Sequence, residues 1–281
     1  RLFLQAYWPG CRLGGKEARM ILIMDSRQMI DQSVIGLIDV TVVRGGLPAL
    51  DCINTDFRPG TATALVGPNG SGKTTLLEVL AGLRTPTTGL ISGERPSVAL
   101  VAQRHAGTWM PLTVGEVLRM ARFRSTLLPR RLGPSDHAAV DAAAGRLGVR
   151  ALLDKPLDRL SFGQRQRVLV AQALAREADL LLLDEPITGL DLISQERILS
   201  VIGQEQEAGR IVVLSTHHLD EARHCDQVLV LDGRLVAVGT PDEVLTPDVL
   251  RQAYGERVLD DHARGLVLVD DHGHGHGHGH A

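Results

Sequence analysis

The sequence is poor in aromatic residues and cysteines and has no long apolar run. Phe, Trp and Tyr make up only 3% of its 281 residues. Its three cysteines are far apart and form no CxxC pair, which argues against a paired-cysteine zinc knuckle. The most apolar blocks, such as Leu180 to Leu183, are much shorter than the roughly 20 residues that a membrane helix needs. We therefore expect no membrane-spanning helix in this sequence.

Charge of neither sign dominates the composition. Thirty Lys and Arg residues against 33 Asp and Glu residues give a formal net charge of -3. Nothing in this balance would attract the protein to nucleic acid, so we expect no nucleic-acid partner. Apolar residues at 44% and charged residues at 22% are typical of a folded globular chain.

Strand-like and helix-like segments alternate from about residue 34 onward, which predicts an α/β domain around a largely parallel sheet. The expected strands cover residues 36–43, 50–57, 61–66, 98–103, 180–184, 211–215, 228–231 and 235–238. The expected helices cover residues 73–81, 114–123, 140–147, 164–176 and 194–207. Because no convincing strand falls between about residues 108 and 177, we predict a helical subdomain inserted there.

Composition also predicts the boundaries of the chain's segments. Residues 1–33 lack a clear period and are interpreted as an extension or a mis-set start. Residues 34–245 form the predicted main domain, and residues 246–269 a helix or linker. Residues 270–281 are a tail rich in His and Gly.

A glycine-rich loop carries the strongest local signal. It matches the pattern G-x-x-x-x-G-K-[ST] directly after a predicted strand and before an apolar-periodic helix. The loop consists of Gly67, Pro68, Asn69, Gly70, Ser71, Gly72, Lys73, Thr74 and Thr75. Its glycines let backbone N–H groups converge on phosphates, Lys73 would reach the β and γ phosphates, and Thr74 would bind Mg²⁺. These features predict a P-loop that binds a nucleotide.

An acidic pair ends a second buried strand about 110 residues further on. Four leucines precede Asp184 and Glu185, and ligands of open α/β sheets bind at the carboxyl ends of strands. Asp184 is predicted to hold Mg²⁺, and Glu185 to polarise the attacking water. Together with the P-loop, this pair predicts a P-loop NTPase.

Three further elements resemble the ATP-binding cassette (ABC) family. The segment Leu160-Ser161-Phe162-Gly163-Gln164 is similar to the family's L-S-G-G-Q signature, Gln103 closes a strand, and His217 follows another strand. They occur in the family's order over about residues 35 to 245. The resemblance implies a P-loop NTPase core with a parallel sheet, an antiparallel β subdomain and the inserted helical, signature-bearing subdomain.

The resemblance also implies a role for each matching residue. Glu185, His217, Lys73 and Gln103 would be the catalytic residues. Thr74, Gln103 and Asp184 would hold Mg²⁺. Ser161, Gly163, Gln164 and the D-loop residue Asp191 would complete the ATP site of a second subunit. ATP and Mg²⁺ are therefore the expected ligands, and a homodimer is the expected assembly.

Two positions depart from the family's pattern. Phe162 stands where the signature has its first glycine. Arg44 lies where the family commonly has an aromatic residue that stacks on adenine. Either the guanidinium of Arg44 stacks on the base in its place, or stacking is weaker.

An ABC ATPase of this kind is expected to drive separate membrane subunits. The implied partners are integral membrane permease subunits and, indirectly, a solute-binding protein, with the ATPase at the cytoplasmic face of the membrane. The stretch from Arg119 to Arg131 holds five arginines and no acid. It is interpreted either as a contact with the permease or lipid, or as a solvated helical face.

The cargo is predicted from two segments. Residues 101–104 followed by 109–114, and residues 250–255, look like those of manganese and zinc uptake ATPases. The tail adds His272, His274, His276, His278 and His280, five of the chain's 11 histidines, interleaved with glycine. Such an array would wrap Zn²⁺ or a similar cation, although a purification tag or an incidental low-complexity tail also fits. The alternatives are an ABC ATPase for a siderophore, cobalamin or an exported drug, and a soluble regulatory ABC protein without transport.

Overall fold

The structure is a computed structural model that describes residues 34–102, 112–123, 131–255, 258–261 and 265–268. Its strands are β1 (Ile35–Arg44), β2 (Leu47–Phe57), β3 (Ala62–Val66), β4 (Thr88–Ser92), β5 (Val98–Val101), β6 (Leu180–Asp184), β7 (Ile211–Thr216), β8 (Gln227–Leu231), β9 (Leu235–Gly239), β10 (Val258–Asp261) and β11 (Gly265–Leu268). Its helices are α1 (Lys73–Leu80), α2 (Val114–Met120), α3 (Pro134–Arg146), α4 (Phe162–Ala175), α5 (Leu192–Glu207), α6 (Leu219–Ala222), α7 (Pro241–Val244) and α8 (Pro247–Tyr254). Among the described residues, no helix is both long enough and apolar enough to cross a bilayer.

The central sheet has six strands in the order β5-β6-β7-β3-β8-β9. The first five strands of this order, from β5 to β8, are all parallel, and β9 pairs antiparallel with β8 at the edge. Val66 pairs with Thr216, and Asp184 pairs with Ser215. The carboxyl ends of β3, β6 and β7 therefore meet at one edge of the sheet, which is where a parallel sheet binds its ligand.

The central sheet is buried on both faces, as the four leucines of β6 show. Leu180 and Leu182 belong to the core that faces β1, β2 and α1. Leu181 and Leu183 belong to the core that faces helices α2 to α5. All four are at most 2% exposed, so the continuous apolar run reflects a strand covered on both sides.

A three-stranded antiparallel sheet in the order β2-β1-β4 covers one of these cores. Gly45 and Gly46 connect β1 to β2 with φ angles of 57° and 85°. Two consecutive left-handed residues suit the twist of a two-residue hairpin, and glycine adopts them without strain. The parallel and antiparallel sheets confirm the predicted mixed α/β fold class.

Between β5 and β6 the described residues form α2, α3, α4 and two turns of 3-10 helix, with no strand. The helix predicted at residues 140–147 was too short, because α3 begins at Pro134. Pro134 occupies the first turn, where its missing N–H is not needed, and Asp136 accepts from the Gly133 N–H at 2.9 Å. The sequence also missed β4 and the β10–β11 hairpin, the latter within the predicted helix or linker at 246–269.

Candidate functional site

The P-loop joins β3 to α1, and its backbone packs closely against β2 at Gly72. Gly72, at the N-cap of α1, has a φ of 100°. A Cβ at this position would lie 2.5 Å from the Ala49 carbonyl oxygen, so the position is strained and crowded for any other residue. The first turn of α1 carries no acidic residue. The N–H groups of this turn and the positive end of the helix dipole therefore face the loop and favour an anion.

Lys73 closes the P-loop from inside. It is 7% exposed, and its Nζ donates to the carbonyl oxygens of Gly67 at 2.5 Å and Pro68 at 3.1 Å. The ammonium group is thus already placed within the loop where phosphates would enter.

A chain of hydrogen bonds joins the P-loop to the acidic pair. Thr74 Oγ1 donates to Asp184 Oδ2 at 2.9 Å, across 110 positions of sequence. Ser215 Oγ donates to Asp184 Oδ1 at 2.5 Å, and the Glu185 N–H donates to Ser215 Oγ at 2.9 Å. Asp184 is 3% exposed, so the bonds from Thr74 and Ser215 hold a buried carboxylate in one orientation.

Glu185 adopts an unusual backbone conformation. Its φ of 48° lies in the left-handed region, which non-glycine residues rarely occupy. The bond from its N–H to Ser215 stabilises this turn. Its side chain is 13% exposed, and its Oε2 lies 3.8 Å from Nδ1 of His217. The acid and the histidine therefore face each other, just beyond hydrogen-bonding distance.

The two neighbouring histidines lie beside different acidic residues. His217 faces Glu185 with a side chain 23% exposed, whereas the His218 side chain is 50% exposed and lies 4.0 Å from Glu221. Their rings are 4.0 Å apart between centroids. Of the two histidines, His217 is therefore the one that lies beside Glu185.

A cavity of about 510 Å³ lies over the P-loop, a volume usual for small-molecule sites. Its lining includes P-loop residues 69–75, Asp184, Glu185 and Arg44. Ser71 Oγ also lies in this lining, is buried, and has no hydrogen-bond partner among the described residues. An orphan buried hydroxyl, a buried ammonium and a helix N-terminus suit a phosphate-bearing ligand.

The signature residues lie at the start of α4, and none of them lines this cavity. Ser161 caps the helix by accepting from the Gln164 N–H, while Gln164 Oε1 accepts from the Ser161 N–H, both at 3.3 Å. A Cβ on Gly163 would lie 3.0 Å from Asp191 Oδ2. The starts of α4 and α5 are therefore in close contact.

Asp191 caps α5. Its carboxylate accepts from the backbone N–H and the hydroxyl of Ser194, both at 2.9 Å. These two bonds lower the pKa of Asp191, and the nearby Arg167 contributes less. The predicted ATP-binding residues thus fall into two sets: those around the P-loop cavity, and Ser161, Gly163, Gln164 and Asp191, which lie at the starts of α4 and α5 and do not line it.

Some predicted site residues lie outside the described residues. They are Gln103 and the tail residues His272, His274, His276, His278 and His280. Within the ranges that the structure describes, no group of three or more His, Cys, Asp or Glu side chains is arranged to hold a metal ion.

Sequence reasoning missed Ser215, Thr216 and Glu221. Ser215 orients both acidic residues, and Thr216 donates to Glu221 beside His217. The two hydroxyl residues were detectable as polar residues at the end of an otherwise apolar strand, immediately before His217. Glu221 gave no such signal, because its burial depends on how α6 packs.

Known proteins resemble the chain over most of its described residues. The family described as ABC transporter matches residues 50–188. The cobalamin import ATP-binding protein BtuD of Halobacterium salinarum is 41% identical over 253 residues, or 83% of this chain and 63% of that protein. The chain thus spans less than two thirds of this relative's length.

The chain matches a larger share of the length of another relative and of a solved structure. The manganese transport system ATP-binding protein MntB of Halalkalibacterium halodurans is 34% identical over 214 residues, or 73% of this chain and 86% of that protein. The dimeric bacterial ABC transporter cassette MJ0796 has a TM-score of 0.65 at 25% identity, over 74% of this chain and 98% of its own.

Proposed function

Because the chain belongs to the family of ABC transporter ATP-binding proteins, we propose that it hydrolyses ATP as the energising subunit of an ABC importer. One observation carries the assignment of the reaction. The hydrogen-bond chain from Thr74 through Asp184 and Ser215 to the Glu185 backbone places an acidic pair beside the P-loop. A phosphate-binding loop alone would indicate only nucleotide binding, whereas a positioned carboxylate adds a group able to activate water.

The residues around the cavity support binding of the triphosphate. N–H groups of the loop and of the first turn of α1, together with Lys73, would bind its oxygens. The Thr74 hydroxyl and Asp184 carboxylate are paired oxygen donors, the ligand type that Mg²⁺ prefers. They would hold Mg²⁺, with Gln103 as a third predicted ligand. Bound Mg²⁺ would offset negative charge on the phosphates.

Glu185 is proposed to accept the proton of the attacking water. The water oxygen bonds to the γ phosphorus, the bond from that phosphorus to the bridging oxygen of ADP breaks, and the water's proton moves to the Glu185 carboxylate. His217, which faces Glu185, would contact the γ phosphate and orient this carboxylate. Arg44, in the cavity lining, would stack on the base.

A second copy of the chain would complete each site. Ser161, Gly163, Gln164 and Asp191 are not among the residues that line the cavity, so we infer that they do not bind the ATP held by the same copy. Beside them lies the signature patch, which we define as Phe162, Leu192 and Ile193, with exposures of 54%, 75% and 66%. Three large exposed apolar side chains in one region favour a protein interface. In the proposed homodimer, the signature residues of each copy would cap the ATP bound by the other.

The dimer is proposed to act on integral membrane permease subunits at the cytoplasmic face of the membrane, with cargo delivered by a solute-binding protein. We propose a Zn²⁺- or Mn²⁺-type metal ion as cargo. The manganese transport relative and the histidines of the tail support this choice. The cobalamin import relative, whose sequence identity of 41% is higher than the 34% of the manganese relative, supports cobalamin as the second candidate.

The reaction is tested with Glu185→Gln in the full chain. This variant is expected to bind ATP, accumulate as a dimer and release phosphate at least about 100-fold more slowly, because the amide cannot accept the proton. Phosphate release and size-exclusion chromatography with ATP measure these effects. Glu207→Gln, an exposed change at the end of α5, is the control. Undiminished phosphate release by Glu185→Gln would refute the assignment.

The cargo is tested by reconstituting the chain with its permease and solute-binding protein. Zn²⁺, Mn²⁺ and cobalamin are added separately, and the cargo is the one that raises ATP turnover. A chain lacking residues 270–281 serves as the matched variant for the tail. Zn²⁺ titration should lose binding sites in this variant, and identical binding would remove the tail from the proposal.

A further inference from the structure

Glu221 is a buried carboxyl group close to the proposed catalytic residues. It lies on α6, is 9% exposed, and its Oε2 accepts from Thr216 Oγ1 at 2.6 Å. Burial is the main cause of its raised pKa, with smaller contributions from the charges of Glu185 and Asp220, while Thr216 and His218 act in the opposite direction. An acid in so unfavourable a place must be supported by specific bonds.

Thr216 links Glu221 to the turn that carries His217. Its hydroxyl donates to Glu221 and accepts from the His218 N–H at 2.9 Å. The chain is therefore fixed on both sides of His217, at residues 216 and 218. A hydroxyl group can donate and accept in this way from one atom, whereas the methyl group of a valine can do neither.

The neighbouring hydroxyl, Ser215, fixes the other partner. It accepts from the Glu185 N–H and donates to Asp184. Two consecutive residues of β7 thus set the places of the two facing groups, Ser215 for Glu185 and Thr216 for His217. The 3.8 Å between Glu185 and His217 depends on both anchors, and a misplacement of about 1 Å in such a pair is enough to reduce turnover severely.

We propose that Glu221 is a positioning residue that acts through Thr216 to hold His217 in register with Glu185. The proposal rests on the proposed ATP hydrolysis and adds residues that need not touch the nucleotide. Because the P-loop is not involved, loss of this anchor should lower the turnover number and leave ATP binding intact.

The first experiment measures steady-state ATP hydrolysis by the full chain. Thr216→Val, which keeps the branched shape, and Glu221→Leu, which removes the acceptor, should each lower kcat by about 10- to 100-fold. The KM for ATP should stay within about twofold, as uniform binding is untouched. Thr216→Ser and Glu221→Gln each keep the required bonding atom and should retain kcat within about threefold. Asp220→Asn, on the exposed side of α6, is the matched control.

The second experiment separates positioning from general support of the fold. Thr216→Val is combined with His217→Ala, and circular dichroism confirms that each variant is folded. If Thr216 acts through His217, adding Thr216→Val to the His217→Ala chain should lower kcat by less than about twofold, because the effects of coupled residues are not additive. A full additive loss, or a kcat unaffected by both Thr216→Val and Glu221→Leu, would overturn the proposal. Absence of ATP hydrolysis by the unaltered chain would instead overturn the proposed hydrolysis itself.

Discussion

The P-loop cavity and the signature patch differ in how many of their side chains are already bonded or buried within one chain. Around the cavity, Lys73, Thr74 and Asp184 already hydrogen-bond to groups of the same chain. At the signature patch, Ser161 and Asp191 cap their own helices, yet Phe162, Leu192 and Ile193 remain exposed. The cavity residues are therefore organised by bonds within the chain, whereas the apolar side chains of the patch are largely exposed on its surface. Binding and turnover should therefore respond differently to changes in the two regions.

Lys73→Ala should have the largest effect and should act on the cavity alone. Removing the ammonium takes away both a phosphate-binding charge and the two bonds that close the loop. We expect ATP affinity to fall by at least about 100-fold, since charge-assisted bonds in buried sites are strong. Titration with a fluorescent ATP analogue measures the affinity. Lys155→Ala, which changes an exposed lysine, should bind normally, and unchanged affinity of Lys73→Ala would contradict the phosphate role.

Leu192→Asp should act on the signature patch alone. Introduced into the Glu185→Gln chain, it should reduce the ATP-dependent dimer by about tenfold or more, because a carboxylate would be buried without a partner. ATP binding by the monomer should be unchanged. Analytical ultracentrifugation with ATP measures the dimer. Val238→Asp places the same charge on an exposed apolar residue of β9, and equal dimer loss in both variants would remove the patch from the interface.

Ser161→Ala should separate stability from turnover. Ser161 and Thr113 each begin a helix with a capping box of the same type, Ser161 on α4 and Thr113 on α2. Replacing either with Ala should cost about 1 kcal/mol of stability and lower the Tm by about 2–4 °C. Only Ser161→Ala should also reduce ATP turnover, because Thr113 is not a signature residue. Equal turnover by the two variants would show that Ser161 serves only as a cap.

Glu221→Gln should have the smallest effect, and the effect should depend on pH. The folded-state pKa of Glu221 is raised above its ordinary 4.5. Protonated Glu221 therefore contributes stability that is fully present below the unfolded-state pKa and is lost as pH rises through the raised value. The Tm of Glu221→Gln should match that of the parent near pH 4 and exceed it near pH 8. Thermal unfolding without nucleotide measures this, and a difference independent of pH would contradict it.

The sequence was most informative where a local motif coincides with a buried strand. The P-loop and the acidic pair each follow an apolar strand, so both the fold class and the meeting of these residues could be predicted. Strand β4 was missed because its residues are largely exposed and show no apolar period. The roles of Ser215 and Glu221 could not be predicted, because they depend on the register of β6 with β7 and on the packing of α6.

The position of β3 also affects how the protein is made. This strand, which leads into the P-loop, pairs with β7 along one edge and with β8 along the other, and both are synthesised long after it. A growing chain therefore carries β3 with both edges unpaired until those strands emerge, and such non-local parallel pairing is slow and exposed to aggregation. The P-loop that follows β3 therefore rests on a sheet that cannot be complete until β7 and β8 have been synthesised.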